Sequence, residues 1–201
     1  MTNATPTDKS NGYEAISSDF MSIRSSSSTG RTMVLDWAQS LPTNASVLDL
    51  GCGHGLPITK ALLDACFSVY GVDASPSMVK EFRSRFPNAE AECSAIEDSR
   101  LFHRRFDGAV AWGLMFLLAP EVQASLVHKV ALALKPGGKF LFTAPRRVCE
   151  WEDTLTGRRS RSLGLVAYRK IIESEGLLLV GEDEDKGKNH YYFACKPADG
   201  Q

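Results

Sequence analysis

The sequence predicts an α/β protein with a doubly wound, seven-stranded sheet, mostly parallel with an antiparallel last strand, and with helices on both faces. The first observation is that apolar, strand-like segments alternate with segments of helical periodicity from residue 46 onward, which is typical of parallel strands joined by helical crossovers. The second is that only GEDEDKGKN separates the last two strand-like segments. This connection is too short for a helical crossover, so the last two strands should form an antiparallel hairpin.

Two helices are expected before the first strand. YEAISSDFMSIRSSSSTGR begins as a helix and continues as a serine-rich loop, and TGRTMVLDWAQSLP has apolar residues at helical spacing and ends at Pro42. SVLDL is the first strand and FSVYGVD the second, with the helix LPITKALLDAC between them. The next helix, SPSMVKEFRSRF, has Ser75 as its N-cap and Pro76 at the first helical position.

The second half of the chain continues this alternation. AEAEC, FDGAVAWG and KFLFTA are predicted as the next three strands, and the apolar run AVAWGLMFLLAP is interpreted as buried strand. The helix PEVQASLVHKVALAL ends at the turn KPGG, and the helix GLVAYRKIIESEG ends at Gly176. LLLVGE and HYYFACK complete the sheet as the terminal hairpin.

Composition limits the classes of function. The chain has 201 residues, which suits one domain, and its formal net charge of -1 gives no general attraction to nucleic acid. Its five cysteines are odd in number and lack C-x-x-C spacing, which predicts reduced thiols and no zinc site. Residues 1–12 have no features of a secretory or transit signal, and no apolar run is long enough to span a bilayer. We therefore expect a cytoplasmic protein without a metal or a membrane anchor.

The segment VLDLGCGHG, residues 47–55, is the most informative motif. It lies at the end of the first parallel strand, and ligands of such sheets bind beyond the carboxyl ends of the strands. Its glycines let the backbone approach a ligand closely. A nicotinamide-binding loop needs glycine or alanine where this chain has Leu56, and Asp49 would make a charge-assisted contact with a cationic ligand group. The motif therefore favours a different nucleoside cofactor.

Four motifs in order carry a resemblance to a known family. VLDLGCGHG, VYGVDASPSMV, FDGAVAWG and LKPGGKFLFTAP resemble the successive motifs of class I S-adenosylmethionine-dependent methyltransferases, over residues 34–196. The resemblance implies a Rossmann-like fold with the antiparallel strand beside the fifth, S-adenosyl-L-methionine as cofactor and S-adenosyl-L-homocysteine as product. It also implies methyl transfer, in which the enzyme mainly supplies proximity and orientation.

The resemblance further implies which residues contact the cofactor. The contacts to its methionine part would be Asp49, Gly51, Cys52 and Gly53. Asp73 would accept hydrogen bonds from both ribose hydroxyls, since Ser75 already caps the helix that follows. The contacts around the adenine and the reacting end would be Ala74, Met78, Ser94, Ala95, Ile96, Ala111 and Trp112. Ser94 stands where relatives often have an acid, so Glu97 is the other candidate partner for the adenine amine.

These assignments divide the chain into functional parts. Residues 1–12 are expected to be a disordered tail, and residues 13–201 a single methyltransferase domain. Within the domain we expect, in order, an N-terminal helical cap (13–45), a cofactor-binding core (46–145), a substrate lid loop (146–164) and a helix with the terminal hairpin (165–196). The sequence leaves open whether the protein is a monomer or a homodimer.

The expected acceptor is a small organic molecule. Relatives that methylate bases or glutamine amides tend to carry an Asn/Asp-Pro-Pro-aromatic run where this chain has AWGLMF. The loop 146–164 and the terminal hairpin both lie at the carboxyl end of the sheet and should form the acceptor pocket. The candidate acceptor contacts are Arg24, Trp151, His190 and Tyr191, and the candidate catalytic residues are His190, Tyr191 and Trp112. For His190 the alternative is that it merely flanks the hairpin, and His54 is interpreted as a loop residue rather than a base.

Three alternative functions stay open. Arg158, Arg159 and Arg161 could bind RNA phosphates, although the acidic run at residues 182–185 would repel them. A module that binds the cofactor without catalysis would need no acceptor. A nicotinamide-dependent oxidoreductase is disfavoured by Leu56 and Pro57.

Overall fold

The computed structural model describes residues 8–198, and their main sheet has the seven predicted strands. The described residues contain nine strands, of which β6 and β7 form a separate two-stranded sheet. They are β1 (Ser46–Leu50), β2 (Ser68–Asp73), β3 (Glu90–Cys93), β4 (Phe106–Ala111), β5 (Leu134–Thr143), β6 (Cys149–Glu152), β7 (Arg159–Ser162), β8 (Leu178–Glu184) and β9 (His190–Cys195). The order across the main sheet is β3-β2-β1-β4-β5-β9-β8. Neighbours among β1 to β5 pair in parallel, whereas β9 runs antiparallel to both β5 and β8. The predicted fold class and the terminal hairpin are confirmed.

Helices cover both faces of this sheet. They are α1 (Ser17–Ser25), α2 (Arg31–Ala38), α3 (Ile58–Asp64), α4 (Pro76–Arg85), α5 (Pro120–Ala133) and α6 (Gly164–Ser174), with short 3-10 turns at Leu101–His103 and Met115–Leu117. The apolar faces of α2 and α3 pack on one face of the sheet, and those of α5 and α6 on the other. Consecutive strand residues therefore enter different cores: Tyr191 packs on the α2–α3 side and Tyr192 on the α5–α6 side.

Helix α4 begins as its sequence predicts. The Ser75 hydroxyl accepts a hydrogen bond from the Met78 N–H at 3.2 Å, and Pro76 opens the first turn. Phe82 of this helix lies against Gly71 of β2, where a side chain would approach its ring to 3.1 Å. This close packing places the start of α4 directly beside the end of β2.

Two predicted loop and strand assignments are corrected by the structure. The segment 146–164 is not an irregular lid loop, because β6 and β7 pair in it as an antiparallel hairpin. Ser160 and Ser162 of β7 are buried, and this alternation of small buried residues with charged ones supports a strand. The apolar run after Phe106 is strand only as far as Ala111, because Gly113 turns the chain at a φ of 75° and a 3-10 helix follows.

The prediction of a disordered tail over residues 1–12 is wrong for residues 8–12 and untested for the others. Residues 1–7 lie outside the described residues, so that part of the prediction stays a prediction. Residues 8–12 form turns instead, because the Asp8 carboxylate accepts hydrogen bonds from the N–H groups of Ser10 and Gly12. Within residues 8–198, no helix has the length and apolar character needed to cross a membrane.

Candidate active site

A cavity of about 390 Å³, called the first cavity below, opens beyond the carboxyl ends of β1, β2 and β4. The predicted contact residues that line it are Arg24, Asp49, Gly51, Cys52, Gly53, Asp73, Ala74, Met78, Ser94, Ile96 and Trp112. Four of their five segments lie at the carboxyl ends of β1 to β4, which parallel pairing places at one edge of the sheet, and helix α1 supplies Arg24.

The loop after β1 forms one wall of this cavity with its backbone. Gly51 and Gly53 have φ angles of 70° and 54°, in the left-handed region that glycine adopts without strain. The Gly51 N–H donates to the Val72 carbonyl at 2.8 Å, which ties the loop to the end of β2. A side chain at Gly51 would approach the Leu114 side chain to 3.1 Å, which is closer than an ordinary van der Waals contact.

Asp73 at the end of β2 has both carboxylate oxygens partly engaged. One oxygen accepts the Gly53 N–H and the other the Ser75 N–H, each at 2.8 Å. Burial raises the pKa of Asp73, and these two hydrogen bonds oppose the rise. Each oxygen keeps a further lone pair, so the carboxylate can accept two more hydrogen bonds from a pair of neighbouring hydroxyls.

Asp49 in β1 is a buried acid without a cationic partner among residues 8–198. Its side chain is 2% exposed, and one oxygen accepts the Thr59 hydroxyl at 2.5 Å. Burial raises its pKa to about 7, the Thr59 hydrogen bond lowers it, and the negative charge of Asp73 raises it further. A cationic ligand group in the first cavity would supply the missing countercharge.

The structure corrects two of the predicted cofactor contacts, because the side chains of Ala95 and Ala111 do not border the first cavity. Ala111 is fully buried in the core on the α5–α6 side, where its position in β4 directs it. Ala95 is 7% exposed, and its carbonyl accepts the N–H groups of Asp98 and Ser99, which turns the chain inward.

Both candidate partners for the adenine edge line the first cavity. The Ser94 hydroxyl donates to the Ala95 carbonyl at 3.1 Å, and the Glu97 carboxylate lies 3.4 Å from the Lys9 ammonium. Because both side chains line the cavity, Ser94 and Glu97 both stay candidates for the partner of the adenine amine.

The N-terminal segment, defined here as residues 8–30, forms the outer wall of the first cavity. Tyr13, Phe20, Ile23 and Arg24 contribute side chains to its lining. The Tyr13 and Phe20 rings pack edge to face with centroids 4.9 Å apart. The apolar residues of this segment therefore shield the cavity from solvent on the side that the sheet leaves open.

Polar contacts fasten this segment to the body of the protein through Glu14, Lys9 and the Tyr13 hydroxyl, which donates to Asp153 at 3.1 Å. The Glu14 carboxylate accepts hydrogen bonds from the Ser75 hydroxyl, and from the N–H and hydroxyl of Ser77 at 3.1 and 2.7 Å. Glu14 thus places a negative charge at the N-terminus of α4, which the helix dipole favours. The Lys9 ammonium donates to Asp98 at 2.6 Å on the other side of the cavity.

Trp112, just after β4, links the N-terminal segment to the last strand. The Arg24 guanidinium lies over the indole ring, 4.5 Å from its centroid, and the indole N–H donates to the Tyr191 hydroxyl at 2.9 Å. Gly30 packs so closely on the ring that a side chain there would approach the indole nitrogen to 2.4 Å. Burial lowers the pKa of Arg24, and no carboxylate of the described chain pairs with it.

Tyr191 has a different role from the predicted one. Its side chain is fully buried, borders neither described cavity, and donates its hydroxyl hydrogen to Asp185 at 2.9 Å. Strand alternation is the physical reason, because it directs Tyr191 to the face opposite to His190 and Tyr192. Tyr191 therefore does not reach an acceptor in either cavity. Its hydroxyl instead accepts the indole N–H of Trp112 and so supports that ring.

A second cavity of about 590 Å³ lies between the β6–β7 hairpin and the turn from β8 to β9. It is lined by Phe116, Thr143, Ala144, Pro145, Arg146, Arg147, Trp151, Glu184, Lys188, Asn189 and His190. Three of these residues, Phe116, Thr143 and Asn189, also line the first cavity. The two cavities are therefore neighbours with a common wall.

The second cavity has an aromatic side and a charged side. The rings of Phe116 and Trp151 lie 5.5 Å apart at a tilt of 45°. Opposite them, His190 is 9% exposed and its Nε2 lies 3.0 Å from a Glu182 oxygen. Glu182 also accepts hydrogen bonds from Arg146 at 3.0 and 3.2 Å, and this arginine lowers the pKa of Glu182.

Sequence reasoning missed several residues of this region. His54, interpreted as a loop residue, lines the first cavity, is 1% exposed and has an Nε2 without a hydrogen-bond partner. Burial, together with the charge of Arg85, lowers its pKa to about 4, so His54 is neutral near pH 7. Thr143 accepts the Gly113 N–H at 2.8 Å in the common wall, and its place as the last residue of a parallel strand could have indicated this.

The remaining candidates lie elsewhere or have other partners. His128 pairs with Glu175 at 2.6 Å on the surface, and His103 is exposed. Arg159 pairs with Glu150 at 3.4 Å across the β6–β7 hairpin. Searched over residues 8–198, the structure contains no cluster of three or more His, Cys, Asp or Glu side chains that could hold a metal ion.

Comparison with known proteins relates the middle of the chain to methyltransferases. A family model described as a methyltransferase domain matches residues 47–138. Carboxy-S-adenosyl-L-methionine synthase of Desulforapulum autotrophicum is 30% identical over 118 residues, which are 54% of this chain and 46% of that protein. A probable S-adenosylmethionine-dependent methyltransferase of Mycolicibacterium smegmatis is 27% identical over 133 residues, which are 65% of this chain and 51% of that protein. The chain thus spans about half the length of these curated relatives.

A solved structure shares the fold over almost the whole chain. It is 1,6-didemethyltoxoflavin-N1-methyltransferase of Burkholderia thailandensis with bound 1,6-didemethyltoxoflavin and S-adenosylhomocysteine. The TM-score is 0.69 at 20% identity, over 96% of this chain and 93% of that chain. The matched domain begins in β1, includes the glycine loop that lines the first cavity, and ends near the middle of β5. Residues 47–138 match the methyltransferase-domain family, and the chain shares its fold with a solved S-adenosylhomocysteine-bound methyltransferase.

Proposed function

We propose that this protein is an enzyme that transfers the methyl group of S-adenosyl-L-methionine to an oxygen, nitrogen or sulfur atom of a small-molecule acceptor. The observation that carries the proposal is the pair of cavities with the common wall of Phe116, Thr143 and Asn189. Each has the size of a small-molecule site, about 300–1,000 Å³. A cofactor in the first cavity and an acceptor in the second would meet at that wall.

The residues of the first cavity suit this cofactor. The free lone pairs of Asp73 match the two ribose hydroxyls, and the buried carboxylate of Asp49 matches a positively charged methionine part. Arg24, which lacks a carboxylate partner among residues 8–198, matches the cofactor carboxylate. When bound, the cofactor supplies an electrophilic methyl group.

The protein's main contribution would be positioning. The indole of Trp112 is held from one side by Arg24 and from the other by Tyr191, so its position at the reacting end is fixed before an acceptor arrives. Holding two reactants in a near-attack geometry can contribute about 7–11 kcal/mol to lowering a barrier. A dedicated base is needed only where the acceptor atom must lose a proton.

The acceptor assignment is supported by the hairpins around the second cavity. Trp151 of β6 and His190 of β9 line it, and we propose that the segment 146–164 with the terminal hairpin selects the acceptor. We also propose that residues 13–45 cap the site, that residues 46–145 hold the cofactor, and that the protein acts in the cytoplasm as a monomer or homodimer.

Binding and transfer assays test the proposal separately. Calorimetry should show binding of S-adenosyl-L-homocysteine but not of NAD to the purified protein. Mass spectrometry of co-purifying small molecules, and a screen of acceptors with methyl-labelled cofactor, should then yield a labelled small molecule. Absence of S-adenosyl-L-homocysteine binding would contradict the cofactor assignment, and binding without transfer to any acceptor would favour a non-catalytic module.

RNA as the acceptor is the alternative enzyme function. Arg159 is already paired with Glu150, and the acidic residues 182–185 lie beside the second cavity, which reduces attraction to phosphates. Labelled methyl transfer to RNA, with binding that falls steeply as salt is raised, would favour this alternative over a small molecule.

A further inference from the structure

We propose that His190 acts as the general base toward an aromatic hydroxyl acceptor in the second cavity, and that Glu182 is the positioning residue that sets its tautomer. This inference rests on the proposed methyl transfer and narrows its acceptor to phenols. Its basis is the contact geometry around His190, which gives one ring nitrogen a fixed partner and leaves the other available.

The Glu182 carboxylate determines which ring nitrogen carries the proton. It lies 3.0 Å from His190 Nε2, and Arg146 holds it ionised through two hydrogen bonds of 3.0 and 3.2 Å. An ionised carboxylate can only accept hydrogen bonds, so Nε2 must donate. In the neutral ring Nδ1 is then unprotonated and can accept a proton.

The position of His190 suits a base that meets an acceptor. The imidazole is 9% exposed, lines the second cavity, and its Nδ1 makes no hydrogen bond within residues 8–198. Its ring also packs edge to face on Tyr192 with centroids 4.9 Å apart, which fixes its orientation. Fixed orientation by a carboxylate and by packing is what a general base requires.

The rest of the second cavity favours an aromatic acceptor that can become an anion. The tilted rings of Phe116 and Trp151 offer a surface on which a planar ring can stack. The same cavity is lined by three basic side chains, Arg146, Arg147 and Lys188, and by one acid, Glu184, so its lining is positive on balance, and Arg147 takes part in no ion pair within residues 8–198. Positive charge nearby stabilises a phenolate and disfavours a cationic ammonium acceptor.

The step is balanced without any further reactant. The hydroxyl proton goes to His190 Nδ1, the acceptor oxygen forms the new C–O bond to the methyl carbon, and the C–S bond breaks with its electron pair kept by sulfur. The sulfonium charge is lost as the imidazolium charge appears, so net charge in the site is conserved. Glu182 faces the resulting imidazolium at 3.0 Å and stabilises it.

A matched pair of variants separates this role from simple folding. Glu182→Gln removes the negative charge beside His190, whereas Glu175→Gln makes the same change beside surface His128, which lies 2.6 Å away. Nitrogen-15 NMR of histidine-labelled protein should show His190 protonated on Nε2 in the wild type. The Glu182→Gln variant should show a mixture of tautomers, and Glu175→Gln should leave His190 unchanged.

Probe binding tests the acceptor class without turnover. The probe is 4-nitrophenol, whose visible absorbance reports phenolate. The wild type saturated with S-adenosyl-L-homocysteine should bind it and raise its phenolate fraction, and Trp151→Ala should weaken binding about tenfold or more. Equal binding to the wild type and Trp151→Ala, or an unchanged phenolate fraction, would overturn the aromatic hydroxyl assignment.

Turnover then measures the catalytic contribution. With methyl-labelled cofactor and a panel of small phenols, His190→Gln should lower kcat about 100-fold or more, and Glu182→Gln about tenfold, at unchanged affinity for S-adenosyl-L-homocysteine. Nδ1 protonation in the wild type, or full activity of His190→Gln, would overturn the proposal. If S-adenosyl-L-homocysteine fails to bind, the proposed function fails instead, and the tautomer measurement still decides the arrangement of His190.

Discussion

Replacing Asp49 with asparagine should stabilise the ligand-free protein while it destroys cofactor binding. Asp49 is 2% exposed and its one side-chain hydrogen-bond partner among residues 8–198 is the Thr59 hydroxyl, so the folded protein keeps the carboxyl protonated up to a pKa of about 7. The unfolded chain releases the same proton near the ordinary value of 3.8. Above pH 4 the folded protein must either keep Asp49 protonated or bury its negative charge, and both lower the free energy of unfolding. Asparagine has no charge at this position and avoids the cost.

The size of the effect follows from the two pKa values. A difference of about three pH units corresponds to an upper limit of about 4 kcal/mol in the free energy of unfolding. The unfolded chain binds fewer protons than the folded one between about pH 4 and pH 7, so the wild type loses stability as pH rises through this window. The advantage of Asp49→Asn should grow from about 2 kcal/mol at pH 5 to about 4 kcal/mol at pH 8 and stay constant above it.

Urea denaturation at pH 5 and pH 8 measures this dependence, and calorimetry with S-adenosyl-L-methionine measures the loss of binding. Asp107→Asn is the matched control, because burial raises the pKa of Asp107 but hydrogen bonds from Lys135 and Ser46 lower it overall. That variant should lose stability at pH 8 relative to the wild type and keep its cofactor affinity. If Asp49→Asn is no more stable than the wild type at pH 8, or binds the cofactor normally, the reasoning about an uncompensated buried charge is refuted.

Three further predictions concern the walls of the first cavity. Asp73→Ala should lower S-adenosyl-L-homocysteine affinity tenfold or more while the protein stays folded, since two charge-assisted hydrogen bonds are lost at about 1.5–3 kcal/mol each. Unchanged affinity in calorimetry would show that Asp73 is not part of the cofactor site. Deleting residues 1–30 should weaken binding of cofactor or acceptor because Arg24 and its neighbours line the cavity, and normal binding with normal turnover would show that the segment is only a tail. Tyr191→Phe should change Trp112 fluorescence and cost about 1–3 kcal/mol of stability, because the indole N–H loses its buried acceptor; an unchanged emission spectrum would show that the hydroxyl does not hold the indole.

Sequence patterns predicted the parts of the fold that local physics determines. Alternating strand and helix periodicity, the Ser75 cap and the short connection before the last strand each have one stable solution, and the structure has all of them. The sequence did not predict the β6–β7 hairpin, because its strands have only four residues each. In addition, β7 alternates arginine with serine rather than polar with apolar residues. Tertiary hydrogen bonds hold the hairpin, since the Ser162 hydroxyl donates to the Pro145 carbonyl at 2.6 Å and the Gln123 amide donates to the Arg161 carbonyl at 3.3 Å, and a single segment does not reveal them.

Among the site residues, too, the sequence predicted those whose positions depend on local structure and missed those whose positions depend on tertiary packing. Motifs placed Asp49, Gly51 and Asp73 because strand ends fix their positions. The direction of a side chain at a strand end depends on register, and this is why Tyr191 was expected at the cavity but lies in the core. His54 was passed over because burial of a loop histidine depends on the helices that pack over it, which no local pattern encodes.

The contacts of Trp112 connect closure of the N-terminal segment to the acceptor side of the molecule. The segment is fastened near the start of α4 through Glu14, which lies near Asp73, and its Arg24 lies over the indole ring of Trp112. The indole in turn donates to Tyr191, whose hydroxyl donates to Asp185 in the turn between β8 and β9. Phe20 and Arg24 of this segment line the first cavity, so the position of the segment sets the shape of that cavity. A cofactor carboxylate that draws the segment closed through Arg24 would also fix Trp112, so cofactor binding should precede acceptor binding and tighten it.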